Sequence, residues 1–265
     1  MKVFISADIE GIAGIADWNE TDYKRPEYAY YRSEMTKEVN AVCEGATISG
    51  ANEILIKDAH GSGRNIDHME LQKDVKLIRS FNDHPFCMMF GVDNTFDAAI
   101  MIGYHSLAGS DGSPLAHTMT LGTAYIKING ELASEFMINA YTAAYVKVPV
   151  VCVIGDEALC NHVKEFNPNI KTVSLNKGVG KSVICPHPKA SHERIKEGVK
   201  ESLKSDINKC KLELPEYFEV EISYKDHTKA YKSSFYPGMQ QLSPTNLMFS
   251  SNDYFEVLRM LSFTL

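Results

Sequence analysis

The chain has 265 residues, of which 44% are hydrophobic and 23% charged, with a formal net charge of -7 at pH 7. These values are typical of a folded protein of one or two domains, and the negative charge provides no field that would attract nucleic acid or an anionic membrane. Its first apolar run is too short for a secretion signal and no run reaches the ~20 residues of a membrane span, which predicts a cytoplasmic protein without nucleic-acid or membrane partners.

Short apolar segments alternate with longer segments of helical periodicity over most of the chain. Strands are predicted at residues 3–7, 53–57, 75–78, 98–103, 124–128, 148–155 and 171–175. Helices are predicted at residues 28–50, 133–146, 156–166 and 188–204. Several of these strands are uninterrupted apolar runs, as expected where helices cover both faces of a sheet. The pattern therefore predicts an α/β protein with a three-layer core and a largely parallel sheet.

The character of the sequence changes near residue 211. Residues 217–224, "YFEVEISY", alternate apolar and polar side chains like a strand with one face in water. A turn-rich segment then leads to a closing helix, capped near Asn252 or Asp253. We predict an α/β metal-binding core over residues 1–210 and a smaller C-terminal α+β portion over residues 211–265, with one continuous domain as the alternative.

Three of the predicted strands end in residue types that bind metal ions. Asp8 and Glu10 follow the first strand, Asp58 and His60 follow the second within "KDAHGSG", and His105 follows the fourth within "GYHS". Each of these residues, taken alone, is more typical of a turn, a helix cap or a structural hydrogen bond. Asp58 also suits the role of a hydrogen-bond partner that orients His60. Because ligands bind beyond the carboxyl ends of strands in open α/β sheets, the coincidence indicates one cluster at one sheet edge.

The chemistry of this cluster favours divalent transition metals. Imidazoles mixed with carboxylates suit Zn²⁺, Mn²⁺ or Fe²⁺ rather than Ca²⁺ or a thiolate site. About five ligands exceed the three that one catalytic zinc takes, whereas two bridged ions would use them all. Two further candidates complete the set. One is His117, in a loop rich in Gly and Ser, and the other is an acid near the start of the predicted helix at 133–146, where Glu131 and Glu135 both fit the pattern.

The sequence resembles the DppA-type D-aminopeptidases, zinc metallopeptidases first named as dipeptide-transport proteins. The resemblance is carried by "SADIEG", "KDAHGS", "GYHS", "AHTM" and "SEFMINAY" in this order, and it continues through "VPVVCVIGD" and "CPHPKA" to "YPGMQ", so that it spans essentially the whole chain. It implies two zinc ions per chain that are held by five ligands. These ligands are Asp8, Glu10, His60, His105 and Glu135, and Asp8 is the one that bridges both ions.

The resemblance also implies roles for other residues. Glu135 is chosen over Glu131 because it lies four residues before Asn139, at the start of an Asn-Ala-Tyr segment that marks the family. His117 matches the residue proposed as the catalytic nucleophile or base. Asp58 and Asn139 are candidates for supporting the ligands or binding the substrate. The family forms ring-stacked homodecamers of a two-part α/β subunit, so a homo-oligomer is expected.

The leading hypothesis is a di-zinc aminopeptidase that hydrolyses short peptides with a free N-terminus, of the D-Ala-D-Ala type. A two-metal phosphoesterase is one alternative, but only Arg64 lies close to a ligand motif as a phosphate-binding cation. A non-catalytic, metal-dependent peptide-binding or transport-associated protein is the other. Structural zinc sites are usually closed by four Cys or His ligands, which disfavours that alternative for a carboxylate-rich set.

Overall fold

The computed structural model describes residues 1–265, and its larger β-sheet has seven strands. In spatial order they are β3 (Val75–Ile78), β2 (Glu53–Asp58), β1 (Lys2–Ala7), β4 (Ala98–Tyr104), β7 (Val150–Asp156), β8 (Lys171–Val179) and β9 (Ser182–Ile184). All pairs from β3 to β8 are parallel, and β9 forms an antiparallel hairpin with β8. The central strands β4 and β7 are buried along their whole length, which explains their continuous apolar sequences. The predicted parallel sheet is confirmed.

Six helices accompany the sheets. They are α1 (Tyr28–Ile48), α2 (Glu135–Tyr145), α3 (Glu157–Phe166), α4 (Pro188–Lys204), α5 (His227–Ser233) and α6 (Tyr254–Thr264). Helix α1 packs on α4, while α3 and α4 pack on β7 and β8, and α2 packs on β4. The four helices predicted before residue 211 and the closing helix are present, and Asp253 caps α6 by accepting a hydrogen bond from the N–H of Phe255. None of the helices combines the length and apolar character needed to cross a lipid bilayer.

The second sheet has five antiparallel strands. In spatial order they are β11 (Gln240–Gln241), β12 (Asn246–Ser251), β10 (Phe218–Tyr224), β5 (Thr123–Ile128) and β6 (Glu131–Leu132). The segment 124–128 is a strand as predicted, but it pairs with β10 instead of joining the parallel sheet. Strand pairing between distant segments cannot be read from either segment alone. The second sheet therefore combines strands from both sides of residue 210, and a domain boundary there stays a prediction.

Part of the C-terminal region was not predicted from the sequence. Helix α5 has only seven residues, and only Ala230 and Ser233 among them are buried, so the segment shows no helical periodicity. Strand β12 begins at residue 246, the last residue of the turn-rich segment, and fills the stretch before the closing helix, where no element was predicted. Both elements are held by tertiary packing, which overrides weak local preference in short segments.

The backbone around the end of β4 is unusually close-packed. The N–H of Gly11 donates to the carbonyl of Gly103 at 2.7 Å. A Cβ atom at Gly11 would lie 1.9 Å from the carbonyl oxygen of Tyr104, and a Cβ atom at Gly155 would lie 2.0 Å from the same oxygen. Only glycine fits such an approach, so these two residues let the segment after β1 and the end of β7 flank β4 directly.

Candidate metal centre

The structure brings the five predicted ligands together at one edge of the parallel sheet. Strands β2, β1 and β4 are neighbours, with Ala7 paired to both Asp58 and Ile102, so their carboxyl ends are nearly level. The segments that follow these strands carry four of the five residues, and the fifth begins α2. The five residues are Asp8, Glu10, His60, His105 and Glu135.

These side chains form two groups that share one residue. His60 Nδ1 lies 3.4 Å from Asp8 Oδ1 and 2.9 Å from Glu10 Oε2. His105 Nε2 lies 3.6 Å from Asp8 Oδ2 and 3.4 Å from Glu135 Oε2. Within each group the potential ligand atoms lie within 4.8 Å of one another, as needed to surround an ion. The two oxygens of Asp8 thus face different imidazoles, as expected of a carboxylate between two ions.

The imidazoles of His60 and His105 are oriented by backbone carbonyls. His60 Nε2 lies 3.2 Å from the carbonyl oxygen of Thr21, and His105 Nδ1 lies 3.0 Å from that of Ser106. A carbonyl oxygen only accepts, so each of these nitrogens carries a proton that it donates to the carbonyl. The other nitrogen of each ring therefore faces the carboxylates and is the atom that would bind a cation, which is the arrangement found for metal-binding histidines.

The charges at this centre are incompletely balanced by the protein. Asp8, Glu10 and Glu135 are each no more than 3% exposed, and histidines are their only ion-pair partners. Burial, reinforced by the neighbouring Glu10, raises the pKa of Asp8 well above its usual value. Burial lowers the pKa of His105, but this effect is outweighed by Glu135 and the other acids, which raise it to about 10.

Two buried atoms of the centre have no hydrogen-bond partner of acceptable geometry, namely Glu10 Oε2 and His105 Nε2. Such atoms are rare in folded proteins because leaving them unpaired is costly. Each belongs to a different ligand group, so one divalent cation in each group would engage both atoms and offset the carboxylate charge. The donor set of two imidazoles and three carboxylates fits zinc.

Glu135 is placed by the start of α2. The Ser134 side chain caps this helix by accepting a hydrogen bond from the N–H of Met137 at 3.1 Å, and Glu135 is the first helical residue. The N–H of Met119 donates to Glu135 Oε1 at 2.7 Å. Glu131, which the sequence pattern left as an alternative, lies exposed in β6.

His117 lies in the loop between β4 and β5 and completes the wall of the centre. Its Nε2 is 3.5 Å from Glu135 Oε1 and 3.9 Å from Glu10 Oε1, and its ring stacks on His105 with 4.3 Å between centroids. Its Nδ1 lies 2.9 Å from the carbonyl oxygen of Leu115, which places the ring proton on Nδ1 and the lone pair on Nε2, facing the carboxylates.

Asp58 and Asn139 are buried beside the centre and do not line its cavity. Asp58 accepts hydrogen bonds from the backbone and side-chain amides of Asn65, and Asn65 in turn donates to the carbonyl of His60 at 2.7 Å. Asp58 therefore organises the loop that carries His60. Asn139 donates to the hydroxyl of Tyr104 at 3.0 Å, below the end of β4.

A cavity of about 480 Å³ opens over the centre and is lined by four of the five ligands and by His117. Seven further residues that line the cavity were not predicted from the sequence. They are Trp18, Phe81, Asp83, His84, Cys87, Met119 and Leu121. Several of them belong to residues 80–88, where Ser80, Asp83 and Cys87 have φ values of 67°, 59° and 45°. Residues other than glycine rarely adopt such angles, and no local sequence pattern indicates them.

Comparison with known proteins agrees with this geometry. The sequence profile of the D-aminopeptidase family matches residues 1–263. The curated D-aminopeptidase of Bacillus subtilis (strain 168) is 30% identical over 258 residues, which cover 97% of this chain and 93% of that protein. The solved structure described as the Zn-dependent D-aminopeptidase DppA from Bacillus subtilis, a self-compartmentalizing protease, superposes with a TM-score of 0.94 at 28% identity, covering all of this chain and 96% of the other. The chain therefore belongs to the D-aminopeptidase family.

Proposed function

We propose that this protein is a zinc-dependent aminopeptidase that hydrolyses short peptides with a free N-terminus, in particular peptides of D-amino acids such as D-Ala-D-Ala. The observation that carries the proposal is the position of Asp8, which belongs to two adjacent ligand groups through different oxygens. Membership of the D-aminopeptidase family and the zinc dependence of the B. subtilis relative support the same conclusion.

Two zinc ions would be held by two ligand groups that share Asp8. Glu10 and His60 complete one ligand group, and His105 and Glu135 complete the other. When bound, the ions would supply Lewis-acid polarisation of a peptide carbonyl and charge for the developing oxyanion. No Lys or Arg lines the cavity, so no such side chain would repel the ammonium group of a peptide N-terminus.

His117 is proposed as the catalytic residue, acting at Nε2 as a general base or as the nucleophile itself. Its Nδ1–H is held by the carbonyl of Leu115, so the lone pair on Nε2 is directed toward the carboxylates and the cavity. As a base, Nε2 takes a proton from the attacking group and returns it to the leaving amine. Asp58 and Asn139 are proposed to support the loop of His60 and the end of β4.

We further propose that the protein is a cytoplasmic homo-oligomer, with the decamer of the resembling family as the expected form. The B. subtilis relative is described as a self-compartmentalizing protease. In this chain Tyr231, Phe235 and Phe263 are more than half exposed, and apolar patches of this kind are typical of interfaces. Sedimentation velocity of the purified protein would distinguish a decamer from smaller forms.

A two-metal phosphoesterase is not supported, because the cavity lacks any cationic side chain that could bind a phosphate. A purely structural metal site is not supported either, since carboxylates dominate the ligand set and an open cavity lies above it.

The test is a hydrolysis panel run on zinc-loaded and on chelator-treated protein. We expect cleavage of D-Ala-D-Ala, none of its N-acetylated form, none of p-nitrophenyl phosphate, and loss of all activity with chelator. Elemental analysis should give about two zinc ions per chain on the two-metal arrangement. Full activity with a single ion would exclude the bridged arrangement, and cleavage of the phosphate ester alone would exclude the peptidase.

A further inference from the structure

A second, smaller cavity adjoins the metal centre. It measures about 190 Å³ and shares the wall residues Cys87, Met119 and Ser262 with the main cavity. We call it the annex; its other lining residues are Pro85, Phe86, Ile138, Asn139, Leu258, Leu261 and Leu265. Residues 258, 261 and 262 have the spacing of one face of α6, and Leu265 directly follows the helix, so its C-terminal end supplies one wall.

The annex begins beside Glu135. Ile138 and Asn139 follow Glu135 by three and four residues in α2, and residues at these spacings share one helix face. Met119 lines the annex while its N–H donates to Glu135 Oε1. A group that extends from the metal centre past Glu135 along α2 therefore enters the annex.

The polar groups of the annex are already satisfied or neutral. Asn139 donates to Tyr104, and the hydroxyl of Ser262 donates to the carbonyl of Leu258 at 2.9 Å. Burial raises the pKa of the Cys87 thiol to about 11, so it is uncharged at neutral pH. The annex offers no ionised side chain and its other lining residues have apolar side chains, so it suits an apolar group.

We propose that the annex is the subsite for the side chain of the substrate's N-terminal residue, and that it accepts apolar side chains of the size of leucine or phenylalanine. This inference builds on the proposed aminopeptidase function. The N-terminal residue is the end of the substrate that nothing precedes, so it suits a side pocket, while the rest of the peptide extends through the open cavity. An apolar cavity of about 150 Å³ is known to hold benzene, so 190 Å³ is large enough for either side chain.

The inference is tested with dipeptides that differ only in the N-terminal residue. D-Leu-D-Ala should be hydrolysed with a kcat/KM at least about tenfold above that of D-Ala-D-Ala, since a single methylene in an apolar pocket typically changes kcat/KM by about 10–200-fold. Ser262→Phe partly fills the annex and should lower kcat/KM for D-Leu-D-Ala by about tenfold more than for D-Ala-D-Ala, which removes this advantage. Leu258→Ala should enlarge the annex and shift the preference from D-Leu toward D-Phe.

The matched control is Ser182→Phe, which adds the same side chain to an exposed serine of β9, outside both cavities. It should leave both substrates unaffected. Equal rates for the D-Leu and D-Ala peptides in the wild type, or an equal response of both peptides to Ser262→Phe, would overturn the annex as a subsite. Absence of all peptide hydrolysis would instead overturn the proposed function. The annex is then judged by calorimetry, where tighter binding of D-leucinamide than D-alaninamide supports it and equal binding refutes it.

Discussion

Asp8 and His117 occupy different positions in the same cluster, and their substitution should separate metal binding from turnover. Asp8 contributes to both ligand groups. His117 belongs to neither of the two groups that share Asp8, although its Nε2 faces Glu10 and Glu135. His117 also forms a third group of potential ligand atoms with Glu10 and His105, so substitution is needed to separate its proposed role in proton transfer from ion binding.

Asp8→Ala should lose zinc and activity together, because both ligand groups lose a donor. His117→Ala should retain about two zinc ions per chain and lose turnover by roughly two to four orders of magnitude, the usual contribution of a general base. Elemental analysis and kcat on the same preparations decide between these outcomes. Activity near the wild-type rate in His117→Ala would contradict the assigned role.

Asp156 holds His105 through an intermediate residue. Asp156 ends β7, and its Oδ2 accepts a hydrogen bond from the N–H of Ser106 at 2.6 Å while Oδ1 accepts from the Ser106 hydroxyl. The carbonyl of Ser106 in turn orients His105 Nδ1. Asp156 also caps α3 by accepting from the N–H of Leu159. The side chain thus links the sheet, a helix terminus and a proposed ligand.

Asp156→Asn should weaken zinc binding by about 10–100-fold, the usual effect of disturbing a residue that supports a ligand. Asn caps helices about as well as Asp does, so the cap of α3 should be retained and stability should change little. Asp226→Asn is the control, because Asp226 caps α5 in the same way through Thr228 and lies outside the centre. Zinc affinity is measured by competition with a chromophoric chelator. If both variants bind zinc equally, Asp156 acts on the fold alone.

At the scale of elements, the sequence predicts the parallel strands and the ligands at their ends well. Strands β1, β2 and β4 are buried, so their apolar runs identify them, and the first polar residues beyond each run mark the sheet edge. The segment 80–88 is not predictable in this way, because its conformation depends on contacts with β2 and on three residues in a rare backbone region. The pairing of β5 with β10 is not predictable for a similar reason, since it depends on a strand about ninety residues away in the chain.

Lys57 of β2 holds residues 80–88, the segment that the sequence does not predict. It is fully buried, its Nζ donates to the carbonyls of Asp58 and Ser80, and it lies 3.8 Å from the centroid of the Phe81 ring. Burial lowers its pKa from the usual value. Phe81 lines the main cavity, so Lys57 connects the interior of the sheet to the cavity wall.

Lys57→Met should destabilise the protein by about 1.5–3 kcal/mol, the typical value of hydrogen bonds made by a charged group. It should also raise KM more than it lowers kcat, because the wall moves while the proposed ligands stay in place. Lys76→Met is the control: Lys76 is an exposed lysine of β3, and its substitution should change stability by less than about 0.5 kcal/mol. Denaturant unfolding and steady-state kinetics measure both effects. Unchanged stability in Lys57→Met would show that the buried hydrogen bonds contribute nothing.

At the scale of the whole molecule, the proposed ions would join segments that are far apart in the chain. The ligands follow β1, β2 and β4 and begin α2, so they span residues 8 to 135. Their carboxylates are buried and have only histidines as ion-pair partners, so divalent cations would relieve the repulsion among the acids. Zinc should therefore contribute to folding stability as well as to catalysis.

Removal of zinc should lower the melting temperature. A ligand that binds only the folded state at 100 times its Kd stabilises that state by about 2.7 kcal/mol, which corresponds to several degrees for a chain of this size. Calorimetry with chelator, followed by addition of excess zinc, should show the loss and its recovery. Asp8→Ala is the control and should respond to neither treatment. An equal response of this variant would place the stabilising zinc elsewhere.

The close approach at the end of β4 bears on how relatives of this protein are recognised. Gly11 and Gly155 flank the carbonyl of Tyr104, the residue directly before His105, at distances that leave no room for a methyl group. Substitution of alanine at either position would displace the backbone that carries the cluster, although every proposed ligand would remain in the sequence. A homologue that keeps all five ligands but has a larger residue at either glycine is thus expected to be inactive.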